Sequence, residues 1–493
     1  MKYVFNHYYI LRHDVCRSII CSRSKNNSIV DVNIKWFSYI HPIYAMLLSF
    51  FCRPITIEEA ISKIAFFFDF SKEYTSDLVR YFIENHDVFH CEYCGINNFP
   101  KNIIIKESDL RYGIHEYTPE MFTYSEIDLD SFRLKSAPLY ATFMVNNKCL
   151  TNCVYCYADR NTKCENMNFA EVERIIDDAY RLNLQTINID GGEFFMYPYW
   201  RKLLEKLNEC EYKPNLISTK YPIKEKDIVD FSKFGIDLQV SLDSINQNVL
   251  DKIVGPIKNY AENMQDTLHI IDKYIPFQVA TILTKYNADV EGLECMYEML
   301  CGFNKIKRWD IRVGFMSFYT KHNFEDIRIQ KDDIEKIQKW FEEKQHNSKI
   351  EITWSPGHSM DFFKSKNGSC EFNGGRCSAN TIHMFILPDG KVTICEQLYW
   401  KDRFIIGNLR KNNISEVWNS DRALALANMP QEEYSPDSAC RNCDIFDKCK
   451  KNMNSCYTNI LKVYGEEHWD YPDPRCAKAP RNISENIYVI SVQ

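Results

Sequence analysis

The sequence contains no apolar run approaching the ~18–20 residues that a bilayer-spanning helix needs. A helical membrane protein is therefore not expected. The N-terminus, Met1-Lys2-Tyr3-Val4-Phe5-Asn6-His7, lacks the charged-then-apolar pattern of a secretory signal, and a cytoplasmic location is expected. Positive charge is not in excess: 60 Lys and Arg face 67 Asp and Glu, giving a formal net charge of −7 with both signs interspersed. That pattern argues against a nucleic-acid partner held on a basic surface. Internal repeats and low-complexity segments are missing as well.

What the chain has is length and cysteine. At 493 residues it exceeds what one hydrophobic core usually organises, and two or three domains are expected. A hydrophobic content of 45% with 14% aromatic residues is that of a folded protein. In a reducing compartment, 20 cysteines point to metal binding or catalysis in preference to disulfides. They are unevenly placed: nine are scattered between Cys16 and Cys301, three form a tight group at Cys149, and eight crowd into residues 370–476.

Residues 1–130 read as a small α+β module. Residues 8–21 and 27–34 suggest two short strands, and helices are expected to open at His41-Pro42, Thr56 and Ser71. Thr56 followed by Glu59 has the pattern of a capping box. A turn at Cys94-Gly95-Ile96-Asn97-Asn98-Phe99-Pro100 separates two more short strands. In residues 131–345, strand candidates at 139–145, 186–190, 215–218, 236–242, 277–283 and 310–314 alternate with amphipathic stretches at 170–182, 200–210, 260–273 and 290–300. Such alternation predicts an α/β fold with a parallel sheet and crossover helices. In residues 346–493 the helical rhythm fades and cysteines dominate.

The first strand of the alternating region runs into Cys149-Leu150-Thr151-Asn152-Cys153-Val154-Tyr155-Cys156. Three thiolates within eight residues can wrap one cubane cluster and leave its fourth iron open, as a catalytic metal requires. Taken alone, the spacing also suits a zinc loop lacking its fourth ligand. The second strand ends in Asp190-Gly191-Gly192-Glu193. Two glycines let the backbone approach a ligand closely, and the adjacent carboxylate suits a ligand's ammonium group.

Cys-x3-Cys-x2-Cys with Tyr155 before the last cysteine, followed by Gly-Gly-Glu after the next strand, resembles the radical S-adenosylmethionine (SAM) superfamily. The resemblance implies a partial (β/α)6 TIM-like barrel. It also implies a [4Fe–4S] cluster on Cys149, Cys153 and Cys156, and SAM contacts from Tyr155, Gly191, Gly192, Glu193, Ser241 and Asp243. One electron from the reduced cluster would cleave SAM to a 5′-deoxyadenosyl radical that removes a hydrogen atom from an unactivated carbon. Two positions depart from the usual pattern: Ser218-Thr219-Lys220 where Thr-Asn-Gly is frequent, and Val254-Gly255 where Arg-Gly is frequent.

The second cysteine field holds Cys370, Cys377 and Cys395, then Cys440, Cys443 and Cys449, and finally Cys456 and Cys476. Eight thiolates can close two clusters or two zinc sites, and a single Cys-x2-Cys pair makes zinc the poorer match. With a hairpin turned at Pro388-Asp389-Gly390 and a Gly-x4-Cys ending, this field resembles the SPASM extension. The resemblance implies a first auxiliary [4Fe–4S] cluster on Cys370, Cys377, Cys395 and Cys456, and a second on Cys440, Cys443, Cys449 and Cys476, three clusters in all.

The stretches Ile40-His41-Pro42-Ile43-Tyr44, Ile55-Thr56-Ile57-Glu58-Glu59-Ala60 and Leu78-Val79-Arg80-Tyr81-Phe82-Ile83 resemble a RiPP recognition element. That is a winged-helix-like domain that binds leader peptides of ribosomally made, modified peptides by strand addition. The combined resemblance, to sactipeptide, ranthipeptide or cyclophane maturases, implies thioether or carbon–carbon crosslinking of a precursor peptide. Flavodoxin or ferredoxin would be the reductant, with neither membrane nor nucleic acid as partner. An anaerobic sulfatase-maturating enzyme, oxidising Cys or Ser to formylglycine, matches residues beyond 138 equally well. A catalytically silent leader-binding scaffold is the third reading.

Overall fold

The computed structural model describes residues 1–319, 324–356, 377–452 and 455–480. Cys370 lies outside the described residues. No helix among them is long and apolar enough to cross a membrane.

The chain opens with β1 (Lys2–Phe5) and the hairpin β2 (Tyr9–His13) and β3 (Ser18–Ser22). Next come β4 (Phe37–Ile40), α1 (Pro42–Ser49), β5 (Ile55–Thr56), α2 (Ile57–Phe68) and α3 (Lys72–Glu84). The module closes with β6 (Phe89–Cys91), β7 (Asn97–Phe99) and β8 (Ile104–Lys106). Two expectations are corrected here. Residues 8–21 fold back as two strands, and 27–34 form no strand; the third strand of that sheet is β4, paired to β3. The apolar residues of 27–34 are exposed or half-buried, so nothing there repays ladder formation. The three helix starts stand as expected. His41, Thr56 and Ser71 each accept a backbone N–H from the first turn of their helix.

α1, β5, α2 and α3, followed by the β6–β7 hairpin, give the winged-helix-like order. The module is fixed to the rest of the chain by buried polar contacts. Arg12 donates to the carbonyls of Pro138 (2.8 Å) and Ala137 (3.1 Å), while Asp14 accepts from the backbone of Lys135 (2.7 Å) and Ser136 (2.8 Å).

The α/β unit runs β9 (Tyr140–Met144), α4 (Phe169–Arg181), β10 (Thr186–Asp190), α5 (Trp200–Glu209) and β11 (Ile217–Thr219). It continues with α6 (Glu225–Ser232), β12 (Leu238–Ser241), α7 (Gln247–Val254) and α8 (Tyr260–Tyr274). β13 (Phe277–Leu283), α9 (Val290–Leu300), β14 (Ile306–Val313), α10 (Phe324–Ile327) and α11 (Lys331–Gln345) follow. β15 (Glu351–Ser355) pairs parallel with β14 and extends the same sheet past residue 345. β9 and β10 pair in parallel, as do β11 through β15 in order. Their inward residues, among them Phe143, Ile187, Val240, Val279 and Trp309, are buried under the crossover helices.

The cysteine-rich region docks on this sheet. β16 (His383–Ile386) runs parallel to β9, and β17 (Lys391–Thr393) returns antiparallel to it, followed by β18 (Ile405–Asn408). The turn between β16 and β17 uses Gly390 at φ +83°, where any side chain would be strained.

Candidate active site

The parallel strands β9, β10, β11 and β12 all point their C-terminal ends at one cavity, as α/β sites generally are arranged. The loop after β9 carries Cys149, Cys153 and Cys156, and all three line a cavity of about 220 Å³. The Thr151 hydroxyl lies 3.2 Å from Cys149 Sγ and 3.3 Å from Cys153 Sγ, so both sulfurs face one point. The last turn of α7 anchors the loop: the N–H groups of Asn152 and Val154 donate to the carbonyls of Val254 (2.7 Å) and Ile253 (2.9 Å).

Gly191 and Gly192 follow β10 along the same wall. A Cβ on Gly192 would fall 2.2 Å from the Lys148 carbonyl oxygen, so only glycine lets the two loops meet. Gly192 N–H donates to Asn146 O at 2.8 Å across that contact.

The neighbouring Glu193 is buried, and its carboxylate is already engaged. It accepts from the Thr219 hydroxyl (2.8 Å), the Lys220 N–H (2.9 Å) and the Phe195 N–H (3.2 Å). Burial pushes its carboxyl up, and those hydrogen bonds oppose the rise.

Ser241 lines the cavity beside Ser218, with their hydroxyls 3.2 Å apart. Asp243 does not face it. Its Oδ2 accepts the Tyr155 hydroxyl at 2.7 Å and pairs with Lys220 Nζ, and its Oδ1 accepts Ile282 N–H at 2.9 Å. These contacts place Asp243 behind Tyr155 and Lys220.

Two cavity residues carry signals that the motif reading passed over. Lys220 stands at the departure from Thr-Asn-Gly, with Nζ 5.5 Å from the centre of the Tyr155 ring. Burial opposes its charge, but Asp243 and Cys153 outweigh burial and raise its pKa. Asp190 ends β10 on the cavity wall, and burial pushes its carboxyl up to about 6. An acid immediately before Gly-Gly at a strand end was visible in the sequence.

The residues fit a cluster with thiolate ligands. Burial pushes the Cys153 thiol up to about 11, so a thiolate there needs a cationic partner such as iron. Among the described residues no three Cys, His, Asp or Glu side chains converge as they would on one ion. A cubane spreads its thiolates over several irons and does not ask for that convergence.

The later cysteines gather in two sets. Cys377 and Cys395 both sense the charge of Cys456, while Cys440 senses Cys476, Cys449 and Cys443. Cys377, Cys440 and Cys449 line one cavity of about 480 Å³. The Gln431 side-chain amide donates to the carbonyls of Cys440 (3.0 Å) and Cys443 (2.8 Å), pinning the Cys-x2-Cys loop. None of the described cysteines is in a disulfide.

Residues 144–293 match the radical SAM superfamily, and residues 377–444 match the SPASM iron–sulfur cluster-binding domain. The antilisterial bacteriocin subtilosin biosynthesis protein AlbA of Bacillus subtilis is 23% identical over 66% of this chain and 68% of its own. The PqqA peptide cyclase of Ruegeria pomeroyi is 21% identical over 70% of this chain and 88% of its own. Streptococcus suis SuiB, solved with S-adenosylmethionine, superposes with a TM-score of 0.60 at 16% identity over 96% of this chain and 100% of its own. SuiB has also been solved with its precursor peptide SuiA. The chain is a radical SAM enzyme with a C-terminal SPASM domain, a family that uses SAM and iron–sulfur clusters.

Proposed function

We propose that this chain is a peptide maturase that installs a thioether or carbon–carbon crosslink in a ribosomally made precursor peptide. The observation that carries this reading is the reach of the likeness to SuiB. It runs through 96% of the chain, so it takes in the N-terminal module that sulfatase-maturating enzymes are not needed to share.

Residues 1–130 would hold the leader, 131–345 would form the radical SAM core, and 346–493 the auxiliary-cluster region. β15 belongs by pairing with the core sheet. Cys149, Cys153 and Cys156 would hold the SAM-binding cluster. Cys370, Cys377, Cys395 and Cys456 would hold one auxiliary cluster, and Cys440, Cys443, Cys449 and Cys476 the other. With reductant from a flavodoxin or ferredoxin in the cytoplasm, the bound cluster and SAM supply a hydrogen-abstracting 5′-deoxyadenosyl radical.

The chain's own residues do the rest. Gly191 and Gly192 let backbone groups approach the cofactor, with Glu193 holding their loop against β11. Ser241 presents a hydroxyl at the end of β12. Asp243 fixes the Tyr155 ring and Lys220 against the wall. Thr151, Cys153 and Val154 are buried within the loop, where a lower effective dielectric strengthens polar contacts.

The test is anaerobic incubation of the reconstituted chain with SAM, dithionite and short Cys- or aromatic-rich candidate precursor peptides. A peptide lighter by two hydrogens, with a mapped crosslink, is expected. A Cys or Ser converted to an aldehyde would place the chain with the formylglycine-forming enzymes instead.

A further inference from the structure

A peptide that gains one crosslink loses two hydrogens. One leaves as an atom to the adenosyl carbon. The second must leave as a proton, and the electron left on the peptide must pass to an oxidised iron–sulfur cluster. The proton acceptor therefore has to touch the substrate residue that faces the radical cavity.

One group has that position. Asp190 shares the cavity wall with Cys149, Cys153 and Cys156. Its Oδ1 accepts Gly191 N–H at 2.7 Å, and its other oxygen has no hydrogen-bond partner among the described residues. The groups around it lead toward the second cysteine field. Tyr157 senses Asp190 and Glu396 together with both Cys156 and Cys395. Tyr399 senses Asp190, Tyr157 and Glu396, and Glu396 senses Asp190. Met144, Ala158, Phe385, Leu387 and Tyr399 pack as one buried apolar cluster, with Cys156 and Tyr157 against it. No cation is among the charges that act on Asp190.

We propose that Asp190 is the catalytic base that takes the substrate's proton, standing between the radical cavity and the auxiliary cluster site at Cys395. The assignment rests on the peptide-maturase reading. Hydrogen atom, proton and electron then leave the peptide for three separate acceptors, and the balance closes. Glu396 does not line the cavity, which leaves Asp190 as the first acceptor. A carboxyl raised by burial to about 6 is ionised at neutral pH yet more basic than an exposed one, as a general base should be. The substrate residue facing it should carry the lost proton on sulfur, or on a carbon made acidic by its neighbouring radical.

The experiment compares full-length reconstituted wild type with Asp190→Asn, which keeps the acceptor for Gly191 N–H, on the precursor peptide that the maturase assay above identifies. The readout is the ratio of crosslinked peptide to 5′-deoxyadenosine, which should fall by about 10²–10⁴-fold, with partial recovery in Asp190→Glu. An unchanged ratio would overturn the assignment. A variant that neither cleaves SAM nor crosslinks would place Asp190 in cofactor binding and overturn it too. If wild type cleaves SAM but crosslinks no peptide, the maturase reading fails first and takes this role with it.

Discussion

Lys220 Nζ sits 2.5 Å from Asp243 Oδ2, and the Asp243 side chain is fully buried behind the cysteine loop. Removing one partner of such a pair strands the other charge in a poorly solvated site. Lys220→Met should therefore lower stability by about 3 kcal/mol, with Tyr155 and Ile282 leaving Asp243 only partly satisfied. Pairing it with Asp243→Asn should recover most of the loss. Urea unfolding of the reconstituted variants measures both, and a Lys220→Met chain as stable as wild type would show the pair to be inert.

Gly192→Ala probes the meeting of the two loops. Its Cβ would fall 2.2 Å from the Lys148 carbonyl oxygen and 2.8 Å from the Asn147 carbonyl carbon, both backbone atoms that have no side-chain freedom to yield. The expected cost is about 1–3 kcal/mol, as in other overpacked cores, with the cysteine loop displaced. Iron analysis after reconstitution should show less than the wild-type content. Full iron loading with an unchanged melting temperature would mean the loop adapts freely.

Acid should destabilise the fold through two histidines, the buried His7 and the half-buried His383. Burial lowers His7 and His383 to about 4, from 6.5. His7 is held neutral chiefly by burial, and its Nδ1 accepts His115 N–H at 3.4 Å, while the bond from Nε2 to Cys52 O at 2.9 Å works the other way. Both values lie below that of the unfolded chain, so the unfolded state binds protons first. The stability is present above pH 6.5 and is lost as pH falls toward about 4, at up to ~3 kcal/mol for each histidine. Melting temperature against pH checks this, and His7→Gln should flatten the curve. An identical acid slope in His7→Gln would remove His7 from the account.

Much of this architecture was legible in the residues. The strand at 277–283 and the helix at 290–300 coincide with β13 and α9, because each is an apolar run bounded by clear start and stop signals. The strand expected at 27–34 failed because its apolar residues have no face to bury. β15 was missed because a short strand in a polar stretch is specified by the waiting edge of β14, which only tertiary structure supplies. The expectation for the first-loop cysteines came from their spacing together with Gly-Gly-Glu after the next strand. Lys220 and Asp243 could not, since residues 23 positions apart become partners only when β11 and β12 pair. Asp190 was printed in the motif, and its isolation from cations became visible only in three dimensions.

Radical generation at the cysteine loop is the step on which every proposed role of this chain depends. The deciding measurement is 5′-deoxyadenosine formed by the full-length, anaerobically reconstituted chain with SAM and dithionite, alongside Cys153→Ala. Wild type should form it, and Cys153→Ala should form none while losing only one cluster's worth of iron. Equal formation by both proteins, or none by an iron-replete wild type, would contradict the account.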